Sequence, residues 1–398
     1  MTESQSVDSG TTIPTSLSER VLQHEEQVAR ARLECADTEN KMPLMVWLND
    51  LSNRYAEIGR ANEALSAAKE AFSLTKLMLT LGHCTTRHLA TSRFNMSKRR
   101  RELNQFNEAV QEVSEAVLLY RGWFSCHDDE TRSLAIALDE LAQLLAVLGR
   151  FSEVPPIQEE AITLLEQLAI DSPSERRQIS MSLGHLAHTH ARLGQHEEHL
   201  STLIRRVAVE QSILLDEPAD AATLIELART YEELALAHLQ YGDRTNAILS
   251  AVCAVDAGRT AAALSRGTER IDFAVWLERL VYSLHDSSRQ DSVEELVGWL
   301  DEAISIFENT RDGLSKPELR AALRRTVFAE ANAGGFFLTA GRLQCSAERA
   351  QRARSLLPRI DGEDAGRAEL LERIEFIEAN CGRPRPPYDL NDIGHKPQ

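Results

Sequence analysis

The densest concentration of groups able to do chemistry runs from Gly184 to His199, as Gly-His-Leu-Ala-His-Thr-His-Ala-Arg-Leu-Gly-Gln-His-Glu-Glu-His. It holds five of the chain's twelve histidines. His185 and His188 stand three apart, so on a helix they share a face, and His199 opens what reads as the next helix. Two or three imidazoles meeting across such a hairpin could hold Zn²⁺ or Ni²⁺. His196 and His199 are three residues apart. That is one short of the spacing by which zinc-protease helices present two imidazoles to one ion. The expected role of the cluster is a polar binding surface whose affinity imidazole protonation could tune. A metal-dependent enzyme built on residues 185–199 is the remote alternative.

A second concentration is Arg93 with Lys98-Arg-Arg-Arg101. Read linearly it resembles a basic targeting signal. On a helix, four consecutive residues point all round the axis, so a solvated face with one groove-facing charge is expected. Beyond these two clusters the chain is poor in chemistry. It has no GxGxxG, no GxxxxGK[ST] and no GxSxG, and its six cysteines are too widely spaced for a CxxC pair. No catalytic residue and no cofactor are expected. The four tryptophans, Trp47, Trp123, Trp276 and Trp299, fall on helical stripes and read as packing residues.

Composition bounds the partners. The 398 residues carry 44 Lys+Arg against 61 Asp+Glu, a formal net charge of -17. That mean field repels phosphate, so nucleic acid is not an expected partner. The polar, acid-bearing start is no secretory signal, and no apolar run approaches the roughly 18 residues of a membrane span. A cytoplasmic protein with reduced thiols is the expectation, with no membrane partner. Few Gly and Pro, few aromatics and many Leu and Ala favour helix.

Self-similarity sets the elements that must position these groups. Gly59, Asn104, Gly149, Gly194, Gly242, Asp291 and Gly341 recur at spacings of 45, 45, 45, 48, 49 and 50. Each is preceded by one helical stripe, as in Leu134, Leu138, Leu141, Leu145 and Leu148, and followed by another, as in Ile157, Ala161, Leu164 and Leu168. Gly, or Asn at 104, suits the left-handed residue that ends the first helix. Pro155 and Pro156 suit the first turn of the second. The reading is an all-α, right-handed superhelical α-solenoid of about seven helical hairpins over residues 40–358, each burying its stripe only against its neighbours. Residues 17–39 read as an N-terminal capping helix and 363–380 as a C-terminal one. Residues 1–16 are expected to be disordered, and 381–398 to form a Pro-rich flexible tail.

The hairpins resemble tetratricopeptide repeats (TPR). Leu48, Leu51, Ser52, Tyr55, Gly59, Ala64 and Ala71 take the pattern's places in the first repeat, and Leu234, Ala235, Gly242, Ala247 and Ala254 in the fifth. His199 and Arg206 replace both later alanines in the fourth. The long period is similar to that of kinesin-light-chain-like repeats. The resemblance implies a concave groove lined by first helices, two residues before and after the signature Leu. Those positions and their neighbours give Asn49, Asn53, Asn95, Lys98, Asp139, Gln143, His185, His188, Glu232 and Glu233 as partner-binding residues, with Leu236 beside them. The groove would be amide and basic at one end and acidic at the other. The function this implies is a non-enzymatic scaffold holding a peptide or helix of another protein. The alternative is a regulatory or sensor array acting with a separate catalytic or nucleotide-binding module.

Overall fold

A computed structural model describes residues 17–123, 128–169, 172–264, 269–284, 293–309, 316–360 and 365–381. The expected disordered start and nearly all of the Pro-rich tail lie outside them, as do the Asp291 anchor and the Trp123 side chain. Every regular element among the described residues is helical. A first helix, α1 (Leu17–Glu34), precedes the hairpins. These pair α2 (Met42–Glu57) with α3 (Ala61–Thr80), α4 (Thr86–Glu102) with α5 (Phe106–Trp123), and α6 (Asp128–Val147) with α7 (Val154–Leu168). Then come α8 (Pro173–Leu193) and α9 (His196–Asp216), α10 (Ala221–Gln240) and α11 (Arg244–Leu264), and α12 (Glu269–Leu284) and α13 (Val293–Asn309). The last pair is α14 (Lys316–Thr339) and α15 (Leu343–Leu356), and α16 (Ala365–Asn380) closes the order.

The anchors do what their residue types allow. Gly59, Gly149, Gly194, Gly242 and Gly341 have φ between 70° and 84°, and Asn104 joins them at 58° as the non-glycine in that region among the described residues. Each of these six turns closes with the same bond, from the N–H one residue past the anchor to the carbonyl four before it. The pairs are Arg60 to Tyr55, Gln105 to Arg100, Arg150 to Leu145, Gln195 to His190, Asp243 to His238 and Arg342 to Phe337, at 2.8–2.9 Å. A helix end that satisfies its own carbonyls in this way stops sharply and aims the next helix back along itself.

Twelve residues beyond the anchors the second helices bury a methyl group: Ala71, Ala116, Ala161, Ala254 and Ala353 are fully inaccessible. Small side chains let two helices approach closely, and larger ones there would overpack the contact. The exception is Arg206, buried at the same place in α9. It reaches Glu210, Glu226 and Glu233 at 3.1–3.4 Å. The chain divides into two compact units, Met1–Thr202 and Leu203–Gln398, where the sequence period alone runs unbroken from 40 to 358. The division falls within α9, the second helix that lost both alanines.

In the N-terminal unit α1 packs Val21, Val28 and Ala31 onto Leu44, Leu48 and Leu51 of α2. In the C-terminal unit one core joins α12, α13 and α14 around Leu277, Leu280, Leu300, Phe307 and Phe336, with Trp299 inside it. A second joins α14 and α15 to Leu370, Ile374 and Ile377 of α16. Helix α11 is long and apolar enough to cross a bilayer by length and composition. Its buried Ala247, Ala251, Ala254, Val255 and Ala262 account for much of that apolarity, and Ala251, Val255 and Ala262 pack into the α12–α13 core.

Candidate functional site

First helices carry the side chains that the groove positions select, and three clefts open between consecutive ones. Asp50, Asn53, Arg54 and Glu57 of α2 face Lys98, Arg99 and Glu102 of α4 across a cleft of about 520 Å³. Gln143, Ala146 and Val147 of α6 face His185, His188 and Thr189 of α8 across one of about 400 Å³, with Phe151, Val154 and Gln158 beneath. Ile225, Arg229, Glu232, Glu233 and Leu236 of α10 face Asp272, Phe273, Trp276 and Arg279 of α12 across about 640 Å³, with Gly258, Ala261 and Ala262 of α11 as the floor.

The expected binding residues divide among these clefts and the core. Asn53 and Lys98 line the first, Gln143, His185 and His188 the second, Glu232 and Glu233 the third. Asn49 and Asn95 instead meet each other: the Asn95 Nδ2 donates to Asn49 Oδ1 at 3.2 Å, while Asn49 Nδ2 donates to the Met45 carbonyl. These two amides tie the first repeat to the second.

Asp139 is a correction. Read as a groove carboxylate, it is buried, with 5% of its surface exposed. Gln143 Nε2 (2.7 Å), Gln158 Nε2 (2.5 Å) and Ser182 Oγ (2.8 Å) donate to its oxygens, so it joins α6, α7 and α8 from inside. A carboxylate so saturated with donors has little left to offer a ligand. Neighbouring Glu140 is buried too, its pKa pushed up by burial against the opposing pull of Arg101, which lies 3.0 Å away.

The basic run is a second correction. Arg93 pairs with Glu112 at 2.6 Å and with Glu115, Arg100 approaches Glu112 at 3.7 Å, and Arg101 holds Glu140. Arg99 is buried and donates to the Ser52 carbonyl at 3.3 Å, with Glu102 alongside, and burial pushes its pKa down. Lys98 is left on the cleft, its ammonium 5.6 Å from the centre of the Phe94 ring. That end of the groove is therefore not simply amide and basic: most of the arginines of this run serve as inter-helix ties, and Asp50, Glu57 and Glu102 line the cleft with Asn53 and Lys98.

His185 and His188 are exposed on the second cleft. His190 is buried, its Nδ1 2.7 Å from Gln195 Oε1. His199 is half-buried, and desolvation together with His190, His196 and His188 lowers its pKa. Among the described residues no group of three His, Cys, Asp or Glu side chains is placed to hold a metal ion. Of these imidazoles, His185 and His188 belong to the cleft surface, whereas His190 is buried and His199 half-buried.

The third cleft has the largest apolar lining of the three. Trp276 and Phe273 stack with ring centres 5.8 Å apart and an interplanar angle of 25°. The indole Nε1 donates to Glu232 Oε2 at 2.6 Å, which sets its orientation. A Cβ at position 258 would lie 2.9 Å from Phe273 Cε2 and 3.3 Å from Trp276 Cζ3, so glycine there lets both rings settle onto α11. Sequence reading assigned Trp276 to packing and missed Phe273. The signal lay in the 44-residue separation of Glu232 and Trp276, about one repeat, which puts them at corresponding places on adjacent first helices.

No protein-family model matches the chain, and no curated protein sequence matches it. Solved structures similar to it include BtubC (BKLC) from P. vanneervenii, at TM-score 0.51 and 16% identity over 63% of this chain and 93% of that one. Nro1, a hypoxic regulator of sterol synthesis described as a nuclear import adaptor, aligns at TM-score 0.47 and 14% identity over 76% and 98%. A Podosopora anserina protein of nearly identical TPR-like repeats, of kinesin light chain type, aligns at 0.42 and 19% over 55% and 96%. The fold is that of a TPR-like helical repeat protein.

Proposed function

We propose that this chain is a non-enzymatic interaction scaffold whose first helices hold a segment of a partner protein. One observation carries the reading: in three places the same part of the repeat, the gap between consecutive first helices, opens into a cleft lined by groove-position side chains. Backbone amides of a bound segment find donors and acceptors in Asn53 and Gln143, and an apolar side chain finds Leu236, Phe273 and Trp276. The helices are fixed by buried ties, so the surface is formed before the partner arrives, which limits the entropy lost on binding.

Selection from a displayed peptide library tests this. Peptides enriched on the full chain should lose binding at least tenfold to Leu236→Arg or Trp276→Ala, each checked for native helix content. Affinity indifferent to both changes and to Asn53→Ala with Lys98→Glu would place recognition elsewhere.

A further inference from the structure

The α10–α12 cleft has a chemical preference that the other two lack. Its floor and walls are apolar: Leu236, Phe273, Trp276 and the three small residues of α11. Ile225 stands at the rim, 42% exposed. The volume of about 640 Å³ lies within the roughly 300–1,000 Å³ of clefts that engulf a ligand group. The ring pair is held from below by Gly258 and from the side by Glu232, so its position does not depend on a ligand.

The charged rim is unbalanced towards carboxylate. Arg229 is engaged by Glu226 at 3.0 Å, and Arg279 has Glu232 as its carboxylate, at 3.8 Å. Asp272 is exposed and makes no ion pair or hydrogen bond among the described residues. Glu233 is about half exposed, and Arg206, 3.4 Å away, is shared with Glu210 and Glu226. Asp272 and Glu233 thus stand on opposite walls, Asp272 on α12 with the ring pair and Glu233 on α10, over the α11 floor. By contrast, no carboxylate lines the α6–α8 cleft.

We infer that this cleft takes a partner segment in which a large apolar side chain is flanked on both sides by Lys or Arg. The inference rests on the scaffold reading and adds the chemistry of the segment. The apolar side chain would lie on the Phe273–Trp276 pair, displacing water from apolar surface. The flanking cations would meet Asp272 on one wall and Glu233 on the other. Such complementarity works mainly on partner choice and encounter rate.

Fluorescence anisotropy with two labelled hexapeptides tests it on the full chain. The first is Lys-Lys-Leu-Phe-Lys-Lys, the second Glu-Glu-Leu-Phe-Glu-Glu. The basic peptide should bind at least tenfold tighter, and the difference should shrink as salt rises. Asp272→Lys with Glu233→Lys, both at exposed positions, should abolish or reverse the preference, while Leu236→Arg should weaken the basic peptide at least tenfold. Equal affinity for the two peptides, or tighter binding of the acidic one, overturns the charge inference; if Leu236→Arg still removes that binding, the scaffold reading stands. Binding of neither peptide also overturns the inference, and the library selection then decides the scaffold reading separately.

Discussion

Asp139 and Glu232 occupy the same place in their repeats, ten residues before Gly149 and Gly242, yet they live in different surroundings. In the N-terminal unit Asp139 is closed in by two amides and a hydroxyl. In the C-terminal unit Glu232 lines an open cleft and orients an indole. The difference extends beyond the pair. Neutral amide and hydroxyl donors join first helices of the N-terminal unit, as in Asn49 with Asn95 and Ser182 with Asp139, beside the ion pairs of Arg101 with buried Glu140 and Arg132 with buried Glu175. In the C-terminal unit buried glutamates take guanidinium groups, Glu278 from Arg325, and Glu330 from Arg349 and Arg352. A repeat position fixes where a side chain starts; the residue one repeat onward decides whether it becomes a tie or a surface.

The largest expected effect would break that comparison outright. Asp139→Ala removes the acceptor of three donors, two of them, Gln158 and Ser182, fully buried. At about 1.5 kcal/mol for each hydrogen bond to a charged group, unfolding should become easier by about 4.5 kcal/mol. Glu232→Ala, on an open cleft, should cost about 1 kcal/mol while loosening Trp276. Denaturant titrations of both variants measure this. Equal losses would mean that the two carboxylates do the same work.

Arg206 follows. The repeat pattern asks for Ala there, and fully buried alanines, Ala303 among them, fill the place in six other hairpins. Arg206→Ala should nevertheless destabilise by about 3 kcal/mol, because Glu210, 1% exposed, loses the guanidinium that compensates its charge. Arg206→Ala combined with Glu210→Met should recover most of the loss. A double variant no better than the single one would show that the arginine's other contacts, not the Glu210 charge, set the cost.

Glu278 gives a pH-dependent expectation of up to about 3 kcal/mol. Burial raises its pKa from 4.5 to about 7, although Arg325 pulls the other way. The folded state therefore holds a proton that the unfolded chain has released between about pH 4.5 and 7. That contribution is fully present below pH 4.5 and is lost as pH rises through about 7. Wild type should lose stability over this window relative to Glu278→Gln, which keeps a neutral side chain throughout. Parallel pH profiles of the two would remove this group as a source of pH dependence.

How much was legible beforehand follows from the same physics. The anchors were, because a left-handed backbone restricts residue type strongly enough to show through degenerate repeats. The hairpins and their apolar stripes were, because helical period is local. Which groove residues face solvent was not. Asp139 needs Gln158 and Ser182 to bury it, and Arg101 needs Glu140, partners 19 to 43 residues away whose side chains signal nothing alone. The cleft on α10 and α12 was half visible: Glu232, Glu233 and Leu236 came from the groove positions, but Trp276 read as core because its face depends on Gly258.

The smallest expected effect tests what the two units share. Asn104 has φ 58° in a turn whose five described counterparts are glycine. Asparagine tolerates that conformation better than other side-chain-bearing residues but at some cost, whereas glycine enters it freely. Against this, glycine gives the unfolded chain more freedom, which offsets part of the gain. Because the residue lies at a helix end rather than within one, the conformational term should win, and Asn104→Gly should stabilise the N-terminal unit by about 0.5 kcal/mol. The reverse change, Gly149→Asn, should destabilise by a similar amount, since nothing lies within 4 Å of a Cβ there and only the backbone objects. A thermal shift of opposite sign in the two variants would assign the effect to the turn itself. Destabilisation in both would mean that the Asn104 side chain itself stabilises its turn, and that one hairpin turn differs from the rest.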